Sequence, residues 1–218
     1  MKEEERKIKA IIFDVGGVLE IGKVNLKQLQ NKHYHTGVHE YIAKKLKIPM
    51  DQWIDSMNTS YELSMQGKIS REKTLNTIAK NNNISSTKLR KIIFKAHKRN
   101  FKTNKQLFKQ AFKIKQLGYK IAVLSDQWHL SYDAVMKNNK LFKKFNPVIV
   151  SCKVGIRKPN PKIYQLTLKK LKLKPEECLF IDNQKWNLLP AKELGIKTIL
   201  FKNNKQLFEN KIWKSLFE

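Results

Sequence analysis

The 218-residue sequence lacks the features of a secreted or membrane-spanning protein. Its first ten residues, MKEEERKIKA, contain no apolar stretch of the kind found in signal peptides. No apolar run approaches the roughly 20 residues that a membrane helix needs. We therefore expect a cytoplasmic protein with no membrane partner.

Cysteine is also scarce, since only Cys152 and Cys178 are present. They lie far apart and outside any metal-ligand spacing, so we expect two reduced thiols in or near core strands. With 41% hydrophobic residues the composition is that of a globular protein and not of a disordered one. There is no internal repeat and no low-complexity linker. The length allows one large domain, or a core domain with an insert.

Acidic residues are few, with Asp+Glu 18 against Lys+Arg 45, which gives a formal net charge of +27. A field of this sign attracts nucleic acid and other polyanions, and it also concentrates small anionic substrates. The excess is nearly all lysine and is spread along the whole chain. Nucleic-acid modules more often cluster arginine and aromatic residues on one element. The pattern therefore favours a compositional bias, with a nucleic-acid partner as the less favoured interpretation.

Strand-like and helix-like segments alternate over most of the chain. The apolar, β-branched runs that predict strands are 8–13, 120–124, 148–151, 178–181 and 197–201. Helical spacing and capping residues predict helices at 37–46, 51–63, 70–79, 85–97, 104–117, 130–137, 160–171, 187–194 and near the carboxyl end, with Asp51, Ser70, Ser85 or Ser86, and Asn160 as N-caps. Between 38 and 99 we predict helices alone. The pattern indicates a parallel sheet covered on both faces, interrupted by a helical insert.

Polar residues follow three of the predicted strands. They are Asp14, the pair Ser125-Asp126 and the pair Asp182-Asn183. Because ligands bind at the carboxyl ends of parallel strands, we expect these groups at one edge of the sheet. A fourth group, Arg157-Lys158, comes just before a predicted helix, and we expect it at the same edge.

These residue types suit phosphoryl transfer. An aspartate carboxylate can attack phosphorus and form an aspartyl-phosphate. A Mg²⁺ ion would bridge that carboxylate and the phosphoryl oxygens, and a second acidic strand end would complete its site. A serine hydroxyl and a lysine ammonium would hold the remaining oxygens as charge develops.

Four motifs in this order resemble the haloacid dehalogenase superfamily: FDVGGV at 13–18, VLSD at 123–126, GIRKPNPKIY at 155–164 and LFIDN at 179–183. The resemblance extends over the whole chain. It is closest to the helical-cap branch, which includes sugar-phosphate phosphatases and the phosphatase domain of epoxide hydrolases. It implies a Rossmann-like three-layer core with a parallel sheet, formed by residues 1–18 and 101–218, and a small inserted helical cap at 19–100.

The resemblance also implies roles for individual residues. Asp14 would be the nucleophile, Ser125 would bind the phosphoryl group, and Lys158 would balance charge between the two. Gly17 and Asp126 would be further substrate contacts. Asp126 has two other possible roles, restraining its loop or acting as a replacement acid.

By the same resemblance, the Mg²⁺ ligands would be Asp14, the backbone carbonyl of Gly16, and the Asp182-Asn183 pair. Two of these positions depart from the family pattern. Phosphatases of the family usually carry a second aspartate, a general acid and base, where this chain has Gly16. General acid–base catalysis raises reaction rates by about 10²–10⁴-fold. Its loss should slow the hydrolysis of sugar phosphates most, because their alkoxide leaving groups need protonation. Asn183 replaces the second acid of the fourth motif. We expect weaker Mg²⁺ binding, or a shift of coordination to Asp182.

The sequence thus predicts a Mg²⁺-dependent phosphatase that acts on a small phosphorylated metabolite. Three alternatives stay open: a catalytically impaired relative that binds a phosphate ligand or a partner, a metal-free dehalogenase, and a polyanion-binding protein on a hydrolase scaffold. The dehalogenase ranks low because no cap arginine follows the first motif closely.

Several aromatic and histidine residues have a packing interpretation beside a functional one. Trp128 and His129 are expected to pack in the core or against the cap, with substrate contact as the alternative. The metal cluster suggested by His33, His35 and His39 is less favoured than exposed or cap-lining side chains. The remaining tryptophans that were considered are predicted to be packing residues: Trp53, Trp186 and Trp213.

Overall fold

The computed structural model describes residues 8–22 and 36–218. Its strands are β1 (Ala10–Phe13), β2 (Glu20–Gly22), β3 (Phe101–Thr103), β4 (Lys120–Ser125), β5 (Val148–Val150), β6 (Cys178–Asp182) and β7 (Lys197–Leu200). Five of them form a parallel sheet in the order β5-β4-β1-β6-β7, with β1 at its centre. The five predicted strands are therefore confirmed.

The central strand is apolar along its whole length because both of its faces are buried. Ile11 and Phe13 pack into one hydrophobic core, whereas Ala10 and Ile12 pack into the other. Parallel strands covered by helices on both sides have this near-continuous hydrophobic composition. The predicted Rossmann-like three-layer architecture with an inserted helical cap is the fold of the protein.

Helices cover both faces of the sheet and also form the insert. Their bounds are α1 (Thr36–Leu46), α2 (Met50–Met65), α3 (Arg71–Asn81), α4 (Ser86–Asn100), α5 (Lys105–Gln116), α6 (His129–Val135), α7 (Ser151–Val154), α8 (Pro161–Leu171), α9 (Lys185–Glu193), α10 (Asn204–Glu209) and α11 (Lys211–Lys214). None of these described helices has the length and apolarity that crossing a membrane requires.

The predicted N-caps are largely confirmed. The side chains of Ser70 and Ser85 each accept the backbone N–H three residues on, and Asn160 caps the helix that begins at Pro161. The prediction for Asp51 was wrong, since α2 begins one residue earlier. The Asp51 carboxylate accepts the N–H of its neighbour Gln52, inside the first turn.

Helices α1–α4 share a hydrophobic core that is separate from the two cores beside the sheet. Trp53, Ile78 and Ile93 are fully buried in it, and Trp128 and Leu130 from the loop and helix after β4 close it. The two sheet-side cores contain no described residue of α1–α4.

The tryptophan and cysteine predictions had mixed outcomes. Trp53 and Trp213 are buried as predicted, but Trp186 is 58% exposed, because it lies on the outer face of α9. Cys152 and Cys178 are buried and free. Burial raises their thiol pKa values to about 11 and about 12, so both are protonated at neutral pH.

A short antiparallel pair of strands connects the sheet to the helical insert, and it was not predicted from the sequence. Strands β2 and β3 pair in antiparallel fashion, with Glu20 opposite Thr103 and Gly22 opposite Phe101. Chain segments on both sides of the insert therefore meet at one place. The division into residues 1–18 and 101–218 for the core and 19–100 for the cap stays a prediction.

Candidate active site

Three strand ends bring the polar residues of the first, second and fourth motifs together. Phe13 is in register with Val123 on one side and with Ile181 on the other. The residue after Phe13 is Asp14, whose N–H donates to the carbonyl of Ile181 at 2.9 Å. Ser125 and Asp182 end β4 and β6, so all three side chains lie at the same edge of the sheet.

Lys158 links two of these strand ends. Its Nζ lies 2.8 Å from Asp14 Oδ1 and 2.6 Å from Asp182 Oδ2, and only 2% of its side chain is exposed. The loop between α7 and α8 carries Lys158, and the Asn160 cap fixes where that loop ends. The ammonium group also lies 3.4 Å from the carbonyl oxygen of Leu124.

The site has one more negative charge than positive charge when its three groups are ionised. Burial alone would lower the pKa of Lys158, but Asp14 and Asp182 raise it above its usual value, so the ammonium form is strongly favoured. Burial raises the pKa of Asp14 to about 7, with Lys158 acting in the opposite direction and Asp182 in the same direction. A cation that approaches Asp14 would favour its ionised form.

Both oxygens of Asp182 already accept hydrogen bonds. Oδ1 accepts the N–H of Gln184 at 2.7 Å, and Oδ2 accepts from Lys158 and from Asn187 Nδ2, the latter at 3.0 Å. Asp182 is therefore held in place by three donors. It can still balance charge in the site, but its lone pairs are largely occupied.

The side-chain oxygen of Asn183, in contrast, accepts no hydrogen bond from the described residues, although this Oδ1 atom is buried. The same side chain lies against Gly17, where φ is +84° and where any Cβ would overlap the amide group. A buried amide oxygen without a donor suits a hard cation, which prefers oxygen ligands. The donor set of Asp14, the Gly16 carbonyl and Asn183 therefore fits Mg²⁺.

Ser125 is buried, and its Oγ accepts a hydrogen bond from Gln127 Nε2 at 3.2 Å. Gln127 is the main polar side chain at this edge that the sequence analysis missed. It lies outside the four motifs, and no spacing rule connects it with Ser125.

Asp126 acts on the loop that carries Lys158. Its Oδ1 accepts the backbone N–H of Lys158 at 3.0 Å, and its Oδ2 lies 3.6 Å from Arg157 Nε. Burial raises the pKa of Asp126, while Lys158 and Arg157 oppose that rise. This geometry favours the loop-restraining interpretation over the replacement acid.

A pocket with about 480 Å³ of empty space, part of it open to solvent, lies between the insert and the sheet edge. Gly16, Asp126 and Gln127 line it on the sheet side. On the other side it is lined mainly by aromatic and histidine side chains, namely His39, Tyr61, His97, Phe101 and Trp128. Trp128 therefore lines the pocket as well as the insert core, which is compatible with both of its predicted roles.

The histidines divide between this pocket and other positions. Nδ1 of His39 accepts from Trp53 Nε1 at 2.9 Å, so His39 is part of the cap packing as well as of the pocket wall. The backbone N–H of His129 donates to Ser64 Oγ at 3.1 Å, and burial lowers the pKa of its imidazole. His33 and His35 lie outside the described residues, so the predicted histidine cluster is not described. Among the residues that are described, no group of three or more His, Cys, Asp or Glu side chains could hold a metal.

Glu20 is a second functional candidate that the sequence analysis missed. Its side chain is buried, lines the pocket with Gly16, and lies 2.9 Å from Thr103 Oγ1. Burial raises its pKa to about 7, with the hydrogen bond from Thr103 opposing that rise. The feature of the sequence that could have indicated Glu20 is that it is an acidic residue shortly after the first motif.

Comparisons with known proteins agree with the predicted family. The chain is 32% identical over 200 residues to acyl-CoA dehydrogenase family member 10 of Mus musculus, covering 89% of this chain and 18% of that protein. It is 31% identical over 163 residues to bifunctional epoxide hydrolase 2 of Mus musculus, covering 73% and 27%. It is 30% identical over 98 residues to glyceraldehyde 3-phosphate phosphatase of Pyrococcus furiosus, covering 44% and 41%. The chain thus spans much less than two thirds of these relatives.

A solved structure has the same fold. It is the haloacid dehalogenase family enzyme BT-2542 of Bacteroides thetaiotaomicron in complex with magnesium and inorganic phosphate, with a TM-score of 0.72, 22% identity, and coverage of 97% of this chain and 100% of that one. The family description haloacid dehalogenase-like hydrolase matches residues 8–195. With most of its length matched, the chain belongs to the haloacid dehalogenase-like hydrolase family.

Proposed function

We propose that this protein is a Mg²⁺-dependent phosphatase that hydrolyses a small phosphorylated metabolite through an aspartyl-phosphate on Asp14. The observation that carries the proposal is the buried Oδ1 of Asn183, which has no donor among the described residues. It lies at the same edge as Asp14, where the buried charges add up to a negative value. A phosphatase of this type needs a cation there, whereas dehalogenation does not.

In the first half of the reaction the Asp14 carboxylate attacks phosphorus, and the bond from phosphorus to the leaving oxygen breaks. Lys158 reduces the repulsion between the carboxylate and the anionic phosphoryl group. The hydroxyl of Ser125 donates a hydrogen bond to a phosphoryl oxygen. Bound Mg²⁺ would supply electrostatic stabilisation of the phosphoryl charge, held by Asp14, the Gly16 carbonyl and Asn183.

In the second half, water attacks the aspartyl-phosphate and releases inorganic phosphate, which restores the Asp14 carboxylate. No carboxyl group occupies position 16 to protonate the leaving group or to activate that water. The reaction should therefore be faster with acyl and aryl phosphates, whose leaving groups need little protonation, than with sugar phosphates. General acid–base assistance raises rates by about 10²–10⁴-fold, so we expect the rate difference between these two substrate classes to be of that size.

Two similarities support the proposal. One relative is named a glyceraldehyde 3-phosphate phosphatase, and the family enzyme from Bacteroides thetaiotaomicron is described with magnesium and inorganic phosphate bound. The basic composition would also concentrate small phosphorylated anions near the protein.

The test is phosphate release from acetyl phosphate, p-nitrophenyl phosphate and several sugar phosphates, with Mg²⁺ and with EDTA. We expect turnover that needs Mg²⁺ and that falls by at least about 10³-fold in Asp14→Asn, since the amide is not nucleophilic. Asp182→Asn serves as a second variant that removes a carboxylate from the site without removing the nucleophile. Turnover that persists in Asp14→Asn would rule out the proposed mechanism.

A second function, binding of a phosphate ligand without turnover, is favoured by Gly16 and Asn183, which replace the usual acids. Calorimetric titration with inorganic phosphate in the presence of Mg²⁺ separates the two. Binding without release from any substrate would support this second function. Halide release from a 2-haloacid in EDTA would instead support the dehalogenase alternative.

A further inference from the structure

We infer that Gln127 is a positioning residue, which turns the hydroxyl of Ser125 toward the phosphoryl group of the substrate. The inference rests on the proposed function. It starts from the contact between Gln127 Nε2 and Ser125 Oγ at 3.2 Å, in which the amide is the donor. Both side chains are buried, and Gln127 also lines the pocket.

A hydrogen bond from Ser131 fixes which end of the Gln127 amide points at Ser125. Ser131 Oγ lies 2.6 Å from Gln127 Oε1 and 3.1 Å from the carbonyl oxygen of Trp128, and its single proton is donated over the shorter distance, to Oε1. The amide oxygen therefore points at Ser131, and the amide NH₂ group points at Ser125.

The backbone of Gln127 is held as firmly as its side chain. Its N–H donates to Ser151 Oγ at 3.0 Å, and Ser151 Oγ lies 3.1 Å from the carbonyl oxygen of Gln127, to which it donates. Ser151 is fully buried at the start of α7. The backbone of Gln127 is therefore fixed in position, and few side-chain rotamers allow hydrogen bonds to both Ser131 and Ser125.

The consequence for Ser125 follows from the composition of a hydroxyl group. A hydroxyl has one proton and two lone pairs. Because Gln127 occupies a lone pair as donor, the proton of Ser125 is directed away from the amide and is available to a phosphoryl oxygen. A carboxylate at position 127 would reverse this, since it would accept the Ser125 proton.

The test is a double-mutant cycle between Gln127→Glu and Ser125→Ala, measured as kcat/KM for a phosphate ester that the wild type hydrolyses. Gln127→Glu keeps the shape of the side chain but removes the donor. We expect a loss of about 10- to 100-fold in the wild-type background, the size of a hydrogen bond to a charged group. In the Ser125→Ala background the loss should be at least about 10-fold smaller, because only the repulsion between the new charge and the phosphoryl group remains.

Gln184→Glu is the matched control. It adds the same charge next to Asp182, and its position has no contact with Ser125 among the described hydrogen bonds. Whatever its effect, that effect should be equal in both backgrounds. Circular dichroism and thermal unfolding of each variant check that the fold is retained.

The two proposals can fail separately. If the wild type hydrolyses phosphate esters but Gln127→Glu costs the same factor with and without Ser125, the inference about Gln127 is wrong and the proposed function stands. If the wild type turns over no substrate, the proposed function is wrong, and the cycle is measured on the Kd of inorganic phosphate. Coupling of at least about 10-fold in that Kd supports the inference, and additive effects overturn it.

Discussion

Glu20 carries a carboxyl group that folding removes from water. Its pKa is about 7 in the fold, against an ordinary value of 4.5, because burial outweighs the hydrogen bond from Thr103. A raised pKa means that ionisation of Glu20 opposes folding. The penalty is absent below about pH 4.5, grows as the pH rises toward 7, and is complete above pH 7.

Glu20→Gln removes this titration. We expect the variant to be more stable than the wild type by about 1–2 kcal/mol at pH 8, with the difference shrinking as the pH falls to 5. Urea unfolding at pH 5, 6, 7 and 8 measures it. Glu209→Gln, at an exposed position, controls for the loss of one negative charge in a basic protein. A stability difference that stays constant from pH 5 to 8 would contradict the prediction.

Lys158 makes a second prediction at this scale, because it is the cation between two buried carboxylates. Lys158→Met leaves Asp14 and Asp182 without their common partner. Removing one member of a buried ion pair costs about 3–5 kcal/mol. At roughly 2–4 °C per kcal/mol for a chain of this size, Tm in EDTA should fall by about 6–20 °C.

Magnesium should recover part of that loss. The variant site has one negative charge more than the wild-type site, so it should bind Mg²⁺ more tightly and gain more Tm on addition of 10 mM MgCl₂. Differential scanning calorimetry with MgCl₂ and with EDTA compares the two proteins. An equal gain in Tm would show that the cation does not bind beside Asp14 and Asp182.

At the scale of elements, two ion pairs within the described residues connect the insert to the rest of the fold, and they differ in burial. Arg71 begins α3, and its Nε lies 2.6 Å from Oδ2 of Asp133 in α6, whose side chain is only 1% exposed. Arg157 Nη1 lies 2.7 Å from Oε2 of Glu62 in α2, with both side chains more than a third exposed. Exposed pairs contribute at most about 1 kcal/mol. A buried carboxylate that loses its close partner is more costly, even though Lys137 Nζ remains 3.9 Å from Asp133 Oδ1.

We therefore expect Arg71→Leu to destabilise the protein by about 2 kcal/mol or more, and Glu62→Gln by less than about 1 kcal/mol. Chemical denaturation of both variants in one buffer gives the comparison. Asp133→Asn tests the same pair from the other side, without leaving a buried charge, and should cost less than Arg71→Leu. Equal losses for Arg71→Leu and Glu62→Gln would show that burial does not decide the strength of these contacts.

The sequence predicted those elements whose residues carry a strong local signal. The buried run of β1 and the serine caps of α3 and α4 are examples. It did not predict β2 and β3, because three-residue strands are too short to show a period and their pairing joins residues about 80 positions apart. The exposure of Trp186 was also missed, since helical spacing does not say which face a neighbouring element covers.

The site shows the same difference between features with a local sequence signal and features that depend on long-range contacts. Asp14, Ser125 and Asp182 could be placed at one edge because each ends a strand of a parallel sheet. The ion pair of Lys158 with Asp14 spans 144 positions. Residue chemistry suggested a lysine near the phosphoryl oxygens, but only the family resemblance paired Lys158 with the nucleophile. The contact of Gln127 with Ser125 depends on where α6 places Ser131, which no sequence pattern describes.

At the scale of the whole molecule, the charge of +27 limits what binding experiments can show. A surface rich in ammonium groups retains any polyanion at low salt, and the Debye length falls to about 8 Å at physiological ionic strength. Retention of RNA that disappears with added salt would follow from charge alone. A nucleic-acid partner would therefore require a preference for one sequence or structure that survives at physiological salt.

The whole insert can be deleted and the chain rejoined at one place. Gly22 and Phe101 are opposite each other at the end of the β2–β3 pair, so a two-residue Asn-Gly turn can connect them in place of residues 23–100. Neither core beside the sheet contains a described residue of α1–α4. Removing the insert uncovers both Trp128 and Leu130, and Leu130→Ser is added to break up that apolar patch. With this substitution we expect the shortened chain to fold.

Cooperative thermal unfolding and far-UV circular dichroism test whether this core is an independent domain. We also expect at least about 10-fold lower kcat/KM on a substrate of the full-length protein, because the pocket loses the wall that contains Tyr61 and His97 and opens to water. The full-length Leu130→Ser variant controls for that substitution. A shortened chain that unfolds without cooperativity would show that the core depends on the insert, and the predicted division into two domains would be wrong.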